Sequence, residues 1–414
     1  MSGPEAKVYF SETDRGRENR VDQQTLGMIA LLRSALNDEA CALPEGFDLE
    51  QALPVLCRQS LAGLALRGAV RCGVPKTGKA FSRLIAVFRQ EALVSGRQMQ
   101  RIGELTALFD AHGLDLLFVK GAVMKPLYPQ PELRVMGDAD VLIREEQYPE
   151  IRRVLTENGW NNDGDCGYEC QWSCDGLRID VHRCLSKPEE NLYYDYYRDG
   201  WRLAEKGPSG SLHHMRPEDH FIFMLIHFVR HYRGGVAPVK SICDFYVFYR
   251  AHPNMDQAYM EQELEKLRLL AFYRNILQLL DCWFRGAPFS AVAEQITVTA
   301  LRGGIYGKEQ SDVVSAAIRI SDGESSMLRK KLRWFFWRVF PPASYLKHRY
   351  PALQKAPVLL PVFWAVRGWE IATHPERRDR AIESSRLMLE TDEEKLTAYQ
   401  EQLRGIGLDI SELE

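Results

Sequence analysis

No apolar run in this chain is long enough to cross a bilayer. The most apolar stretch, APVLLPVFWAV at 356–366, is interrupted by two prolines and falls short of the roughly 18–20 residues a spanning helix needs. The opening MSGPEAKVYFSETDRGRENR lacks the apolar core of a secretory signal, so a cytoplasmic protein is expected. Neither sign of charge dominates: 53 Lys and Arg against 56 Asp and Glu give a net charge of -3. That balance argues against a dedicated electrostatic grip on nucleic acid and leaves room only for local basic patches. The nine cysteines include no Cys-x2-Cys pair, and free thiols are expected. There is no internal repeat and no low-complexity tract.

What is present is ordinary globular material, 45% hydrophobic and 26% charged over 414 residues, enough for two or three domains and a sizeable core. Residues 1–20 read as a flexible leader. Residues 21–110 form an N-terminal helical region, with apolar residues at three- and four-residue spacing and a stop at His112-Gly113. The period then changes. LDLLFVKG (114–121) reads as a short buried strand entering a glycine turn, and DADVLI (138–143) as a second strand. EEQYPEIRRVLTENGW (145–160) reads as a helix with acids at its start. YECQWSC and LRIDVHRCL flank Asp175-Gly176, a strong hairpin signal. Helical spacing returns from Pro217 onward. The expected fold is α+β: a small mixed sheet over 111–205, flanked by the N-terminal helices and a C-terminal helical region over 206–414.

Asp138 and Asp140 stand two apart at the head of the second strand. Residues i and i+2 of a strand share a face, so the two carboxylates repel and each is harder to ionise beside the other. A solvated strand end is the bland explanation. A divalent cation is the sharper one, because Mg²⁺ favours carboxylate and phosphate oxygens. Asp180 and His182 form a second same-face pair after the hairpin. If their strand neighbours the first, Asp180 supplies a third carboxylate. Three such acids can hold two metals about 3.5–4 Å apart, the clamp for in-line phosphoryl or nucleotidyl transfer.

A strand ending in Lys120-Gly121, a short helix, LRVMGDADVLI and the later RIDVHRCL together resemble the nucleotidyltransferase fold of the DNA polymerase β superfamily, and more narrowly a bacterial nucleotidyltransferase-like family. The resemblance spans roughly 110–250. It implies that Asp138 and Asp140 bind both metals (Mg²⁺ or Mn²⁺). It also implies that Asp180 binds the catalytic metal and helps activate the acceptor. Lys120, Gly121 and Arg134 would meet the phosphates of an NTP substrate. The superfamily's Gly-Ser at the turn is Gly121-Ala122 here, which removes a hydroxyl contact to phosphate. The implied reaction moves a nucleoside monophosphate to an unidentified acceptor.

Other features admit two readings. His227 and His231, four apart on one helix, with His220 further back, line an active site or pack in an aromatic core. His182, Arg230, Lys240 and Asp244 are further candidates for pocket lining. Cys166, Cys170, Cys174 and Cys184 have the wrong spacing for common zinc modules. LRKKLRWFFWRVFPPASYLKHRY (328–350) mixes basic and aromatic residues. It lies on a membrane surface, together with 356–366, or meets an anionic substrate, or is an ordinary helix with a buried aromatic stripe and a solvated basic face. The rivals to catalysis are a degenerate binding or regulatory module and a membrane-associated tailoring factor.

Overall fold

A computed structural model describes residues 21–165, 169–186, 191–197, 199–207, 210–233, 237–302, 313, 326–346, 350 and 352–408. The expected leader, 1–20, lies outside them. The strands are β1 (Leu116–Val119), β2 (Ala139–Ile143), β3 (Asn161–Asp165), β4 (Glu169–Cys174), β5 (Leu177–His182), β6 (Ala204–Lys206) and β7 (Leu212–Met215). They form one mixed sheet in the order β3-β4-β5-β2-β1-β7-β6. β1 runs antiparallel to β2, whereas β2 runs parallel to β5 and β1 parallel to β7. Asp175 and Gly176 both have positive φ, 42° and 84°, as a two-residue turn between twisted strands requires. The α+β architecture expected from the sequence is what the chain adopts. Strands β3, β6 and β7 were not expected. NNDGD has no apolar alternation and lies largely exposed at the sheet edge, and the other two are only three or four residues long.

Among the described residues four helices precede the sheet: α1 (Gln23–Asn37), α2 (Leu49–Arg58), α3 (Ala62–Arg71) and the long α4 (Lys79–Ala111). Within and after it come α5 (Gly121–Met124), α6 (Tyr148–Glu157), α7 (Asn191–Tyr197), α8 (Pro217–Arg233) and α9 (Val239–Ala251). Strand alternation divides the sheet into two faces. Ala139, Val141 and Ile143 of β2, with Ile179 and Val181 of β5, form one core under Leu105 and Phe109 of α4 and Ile151, Val154 and Leu155 of α6. On the opposite face Leu117, Val119 and Leu142 join a larger core that reaches α8 and α9. Phe228 of α8 meets Phe245 of α9 edge-to-face at 5.5 Å, and each such buried ring contributes about 1.5–3 kcal/mol by burial alone. The apolar grip fixes both helices against the sheet and so fixes the wall that faces the acids.

The chain continues through α10 (Gln257–Lys266), α11 (Leu270–Leu280) and α12 (Ala291–Arg302) to α13 (Met327–Val339), α14 (Leu360–Thr373), α15 (Pro375–Glu390) and α16 (Glu393–Gly405). The last helix is tied to the body. Asn275 donates to the Ile406 carbonyl at 3.0 Å, Gln295 to the Gln402 carbonyl at 2.7 Å, and the Tyr399 hydroxyl to the Arg233 carbonyl. Leu396, Tyr399 and Leu403 belong to the same core as α8.

Candidate active site

The sheet register decides where the acids go. Asp140 of β2 pairs directly with Asp180 of β5 in the parallel ladder. Direct partners in adjacent strands project to the same face, as do residues two apart. Asp138, Asp140, Asp180 and His182 therefore share the face opposite Ala139, Val141 and Ile179. Hairpin register adds an acid that was not singled out from sequence, Glu169, opposite His182. Counting outward from the Asp175-Gly176 turn would have found it.

Charge is distributed unevenly among these groups. Lys120 Nζ lies 2.8 Å and His182 Nε2 2.9 Å from Asp140 Oδ1. Burial raises the Asp140 carboxyl, but Lys120 and His182 outweigh it and hold the group well below the usual carboxylate range. Asp138 is paired with Arg178 at 3.1 Å. Asp180 has no such relief: its Oδ1 is buried without a hydrogen-bond partner. Burial, then Asp138, Glu169 and Asp140, push its carboxyl up from 3.8 to about 6. A buried, unpaired carboxylate oxygen beside other acids is costly and marks a place for a cation or a proton.

Lys120 reaches Asp140 from a backbone with φ 55°, unusual for a residue with a side chain. Its N–H donates to Nε2 of buried His220 at 3.2 Å. Burial, with His252 nearby, pushes the His220 imidazole down to about 4, so the ring is neutral and free to accept. The α8 helix thus holds the turn that aims the lysine.

The guanidinium of Arg134 is occupied by a partner inside the protein. It grips Asp244 of α9 with Nε at 3.2 Å and Nη2 at 2.7 Å, and Tyr128 donates its hydroxyl to the same carboxylate at 2.7 Å. Arg134 and Asp244 are 7% and 6% exposed. Gly121 is small for a packing reason. A Cβ there would lie 2.9 Å from Met136 Cγ and 3.0 Å from Arg134 Nη1. The pair ties the loop before β2 to α9, and the remaining nitrogen, Nη1, donates to the Val135 carbonyl at 3.0 Å.

Ten of the residues singled out from sequence — Asp138, Asp140, Asp180, Lys120, Gly121, Arg134, His182, His227, His231 and Asp244 — line one cleft of about 660 Å³. Lys240 and Arg230 line it too, whereas His220 lies behind it. His227 Nε2 is 3.0 Å from His231 Nε2, so one ring must donate and the other accept. Burial and then Lys120 push the His227 imidazole well below its ordinary value. Arg230 donates to Ser186 at 2.8 Å. Burial, then Arg134, push the Lys240 ammonium down to about 8. Among the described residues no three His, Cys, Asp or Glu side chains are placed to hold a metal ion together. Lys120 and His182 both bond Asp140 Oδ1, and Arg178 bonds Asp138 Oδ2. Cys170 is buried and Cys174 and Cys184 are half-buried free thiols, while Cys166 lies outside the described residues.

The family model described as "uncharacterised nucleotidyltransferase" matches residues 45–285, which contain every one of these cleft residues. The chain belongs to this nucleotidyltransferase family. No curated protein and no solved structure matched it. Membership supports a nucleotidyltransferase-like activity and a nucleotide substrate. Among the described residues no helix is long and apolar enough to cross a membrane.

Proposed function

We propose that this family member transfers a nucleoside monophosphate from an NTP to an acceptor hydroxyl, with divalent-metal dependence and release of pyrophosphate. The supporting observation is the direct Asp140–Asp180 pairing with Asp138 on the same face, which leaves Asp180 Oδ1 buried and unsatisfied. Three carboxylates are a hard-oxygen donor set suited to Mg²⁺ or Mn²⁺, and the unsatisfied oxygen is the atom such an ion would relieve. Asp138, Asp140 and Asp180 would hold it. When bound, it supplies positive charge against the α-phosphate and the departing pyrophosphate.

The chain's own groups do the rest. Asp180, whose Oδ1 has no hydrogen-bond partner in the fold, takes the proton of the acceptor hydroxyl as general base. The acceptor oxygen bonds to the α-phosphorus as the bond to the β-phosphate bridge breaks, and the electron pair leaves with pyrophosphate. Lys240 contributes a phosphate contact, since a phosphate adds counter-charge to an ammonium that burial and Arg134 push down to about 8. Lys120 holds Asp140 ionised and lines the cleft where it would meet the phosphates. Arg134, committed to Asp244 and to the Val135 carbonyl, builds the wall and adds its positive charge to the cleft. Ala122 brings no hydroxyl, so phosphate contacts at that turn come from the backbone.

Incubation with each labelled NTP, Mg²⁺ or Mn²⁺, and extract from the source cell tests this reading. Label should move to an acceptor with the wild type and not with Asp138→Asn; equal transfer by both removes the assignment. The cations already seated on Asp138 and Asp140 favour a second reading, a binding module without turnover. Calorimetric NTP binding with no label transfer under any condition would select it.

A further inference from the structure

Helices α13 and α14 turn their apolar residues outward. Leu328, Leu332, Phe336 and Phe340 recur every four residues and are 67%, 60%, 64% and 41% exposed. This spacing makes one stripe along a helix. The other side of α13 is the one that packs inward, where Trp334 is buried. Val358, Val362, Val366 and Trp369 make a matching stripe along α14 and the turn before it, 84%, 55%, 38% and 72% exposed. No residue of α14 is buried. The rings of Phe340 and Trp364 meet at 5.0 Å, and Trp364 donates to the Pro341 carbonyl at 2.9 Å. These contacts join the two stripes into one surface. An exposed apolar surface of this extent on a folded body marks an interaction site.

The charge around the surface identifies what it meets. Among the described side chains of residues 326–369 are six lysines and arginines (Arg329, Lys330, Lys331, Arg333, Arg338 and Arg367) and no aspartate or glutamate, in a chain whose net charge is -3. A second copy on this face would bring two such cationic segments together, which like-charge repulsion opposes. An apolar stripe flanked by Lys and Arg, with tryptophan at its edge, matches a helix lying in the headgroup layer of an anionic bilayer. We infer that α13 and α14 dock the protein on an anionic membrane surface. Because Trp334 of α13 packs in the same core as α8 and α9, docking carries the catalytic body with it.

The test uses the full chain with vesicles of phosphatidylglycerol in phosphatidylcholine, beside vesicles of phosphatidylcholine alone. The protein should co-sediment with the anionic vesicles, lose that binding at high salt, and have its tryptophan emission quenched by brominated lipid. Arg329→Gln with Arg333→Gln should lower partitioning about thirtyfold, from about 1 kcal/mol per basic side chain near the surface. Phe336→Ser with Trp369→Ser should abolish sedimentation while leaving the circular dichroism and melting temperature unchanged, since both rings are exposed. Absence of sedimentation, or equal sedimentation by the wild type and all variants, overturns the inference. So does a lipid-free dimer in light scattering that Phe336→Ser with Trp369→Ser dissociates, because a second copy would then cover the face.

Discussion

Replacing Asp180 by asparagine should make the protein more stable at neutral pH while abolishing transfer. The folded state holds the Asp180 carboxyl near 6 against an ordinary 3.8, so between those values folded protein keeps a proton that the unfolded chain releases. Stability therefore falls as pH rises through that window, and the loss is complete above it. A rise of this size corresponds to about 3 kcal/mol at about 1.4 kcal/mol per pH unit. Asp180 is only half-buried, so solvent screening reduces this to about 1.5 kcal/mol. Asparagine keeps the shape and carries no charge, so it removes the repulsion from Asp138, Glu169 and Asp140. In a chain of 414 residues the gain amounts to about 2 °C in melting temperature. Metal-free melting curves at pH 8 and below pH 4 give the comparison. Asp180→Asn should melt higher at pH 8 and level with wild type in acid, where Asp180 is protonated in both states. A variant that melts lower than wild type at pH 8 refutes the claim that Asp180 is an uncompensated charge.

Arg134→Ala leaves the Asp244 carboxylate buried without its cation, so urea midpoints should report a loss of about 3–5 kcal/mol. Gly121→Ala drives a methyl into Met136 and Arg134; about 1–3 kcal/mol of destabilisation is expected by the same assay. Lys240→Met should weaken NTP binding about tenfold in calorimetry, the size of one charge-assisted contact, with melting unchanged or raised because a buried ammonium is removed.

The local signals in the chain were strong where physics is local. Alternation in DADVLI separates Asp138 and Asp140 from Ala139 and Val141 whatever the surroundings, because a strand's side chains alternate faces. Asp175-Gly176 sets the hairpin register, and with it the Glu169–His182 and Gln171–Asp180 pairs. The small mixed sheet and its helical flanks were legible for the same reason. Tertiary structure alone decided what each group touches. No spacing rule pairs Arg134 with Asp244, 110 positions away, or seats Lys120 on Asp140 through a strained turn braced by His220. Nor could sequence tell whether the aromatic stripe of α13 faces core or solvent. Both placements satisfy a 3.6-residue period, and only the packing of Trp334 inward leaves Phe336 outside. Side-chain direction along a strand or helix follows from covalent geometry. Partnership across the fold follows from the summed burial of distant elements, which a linear pattern does not contain.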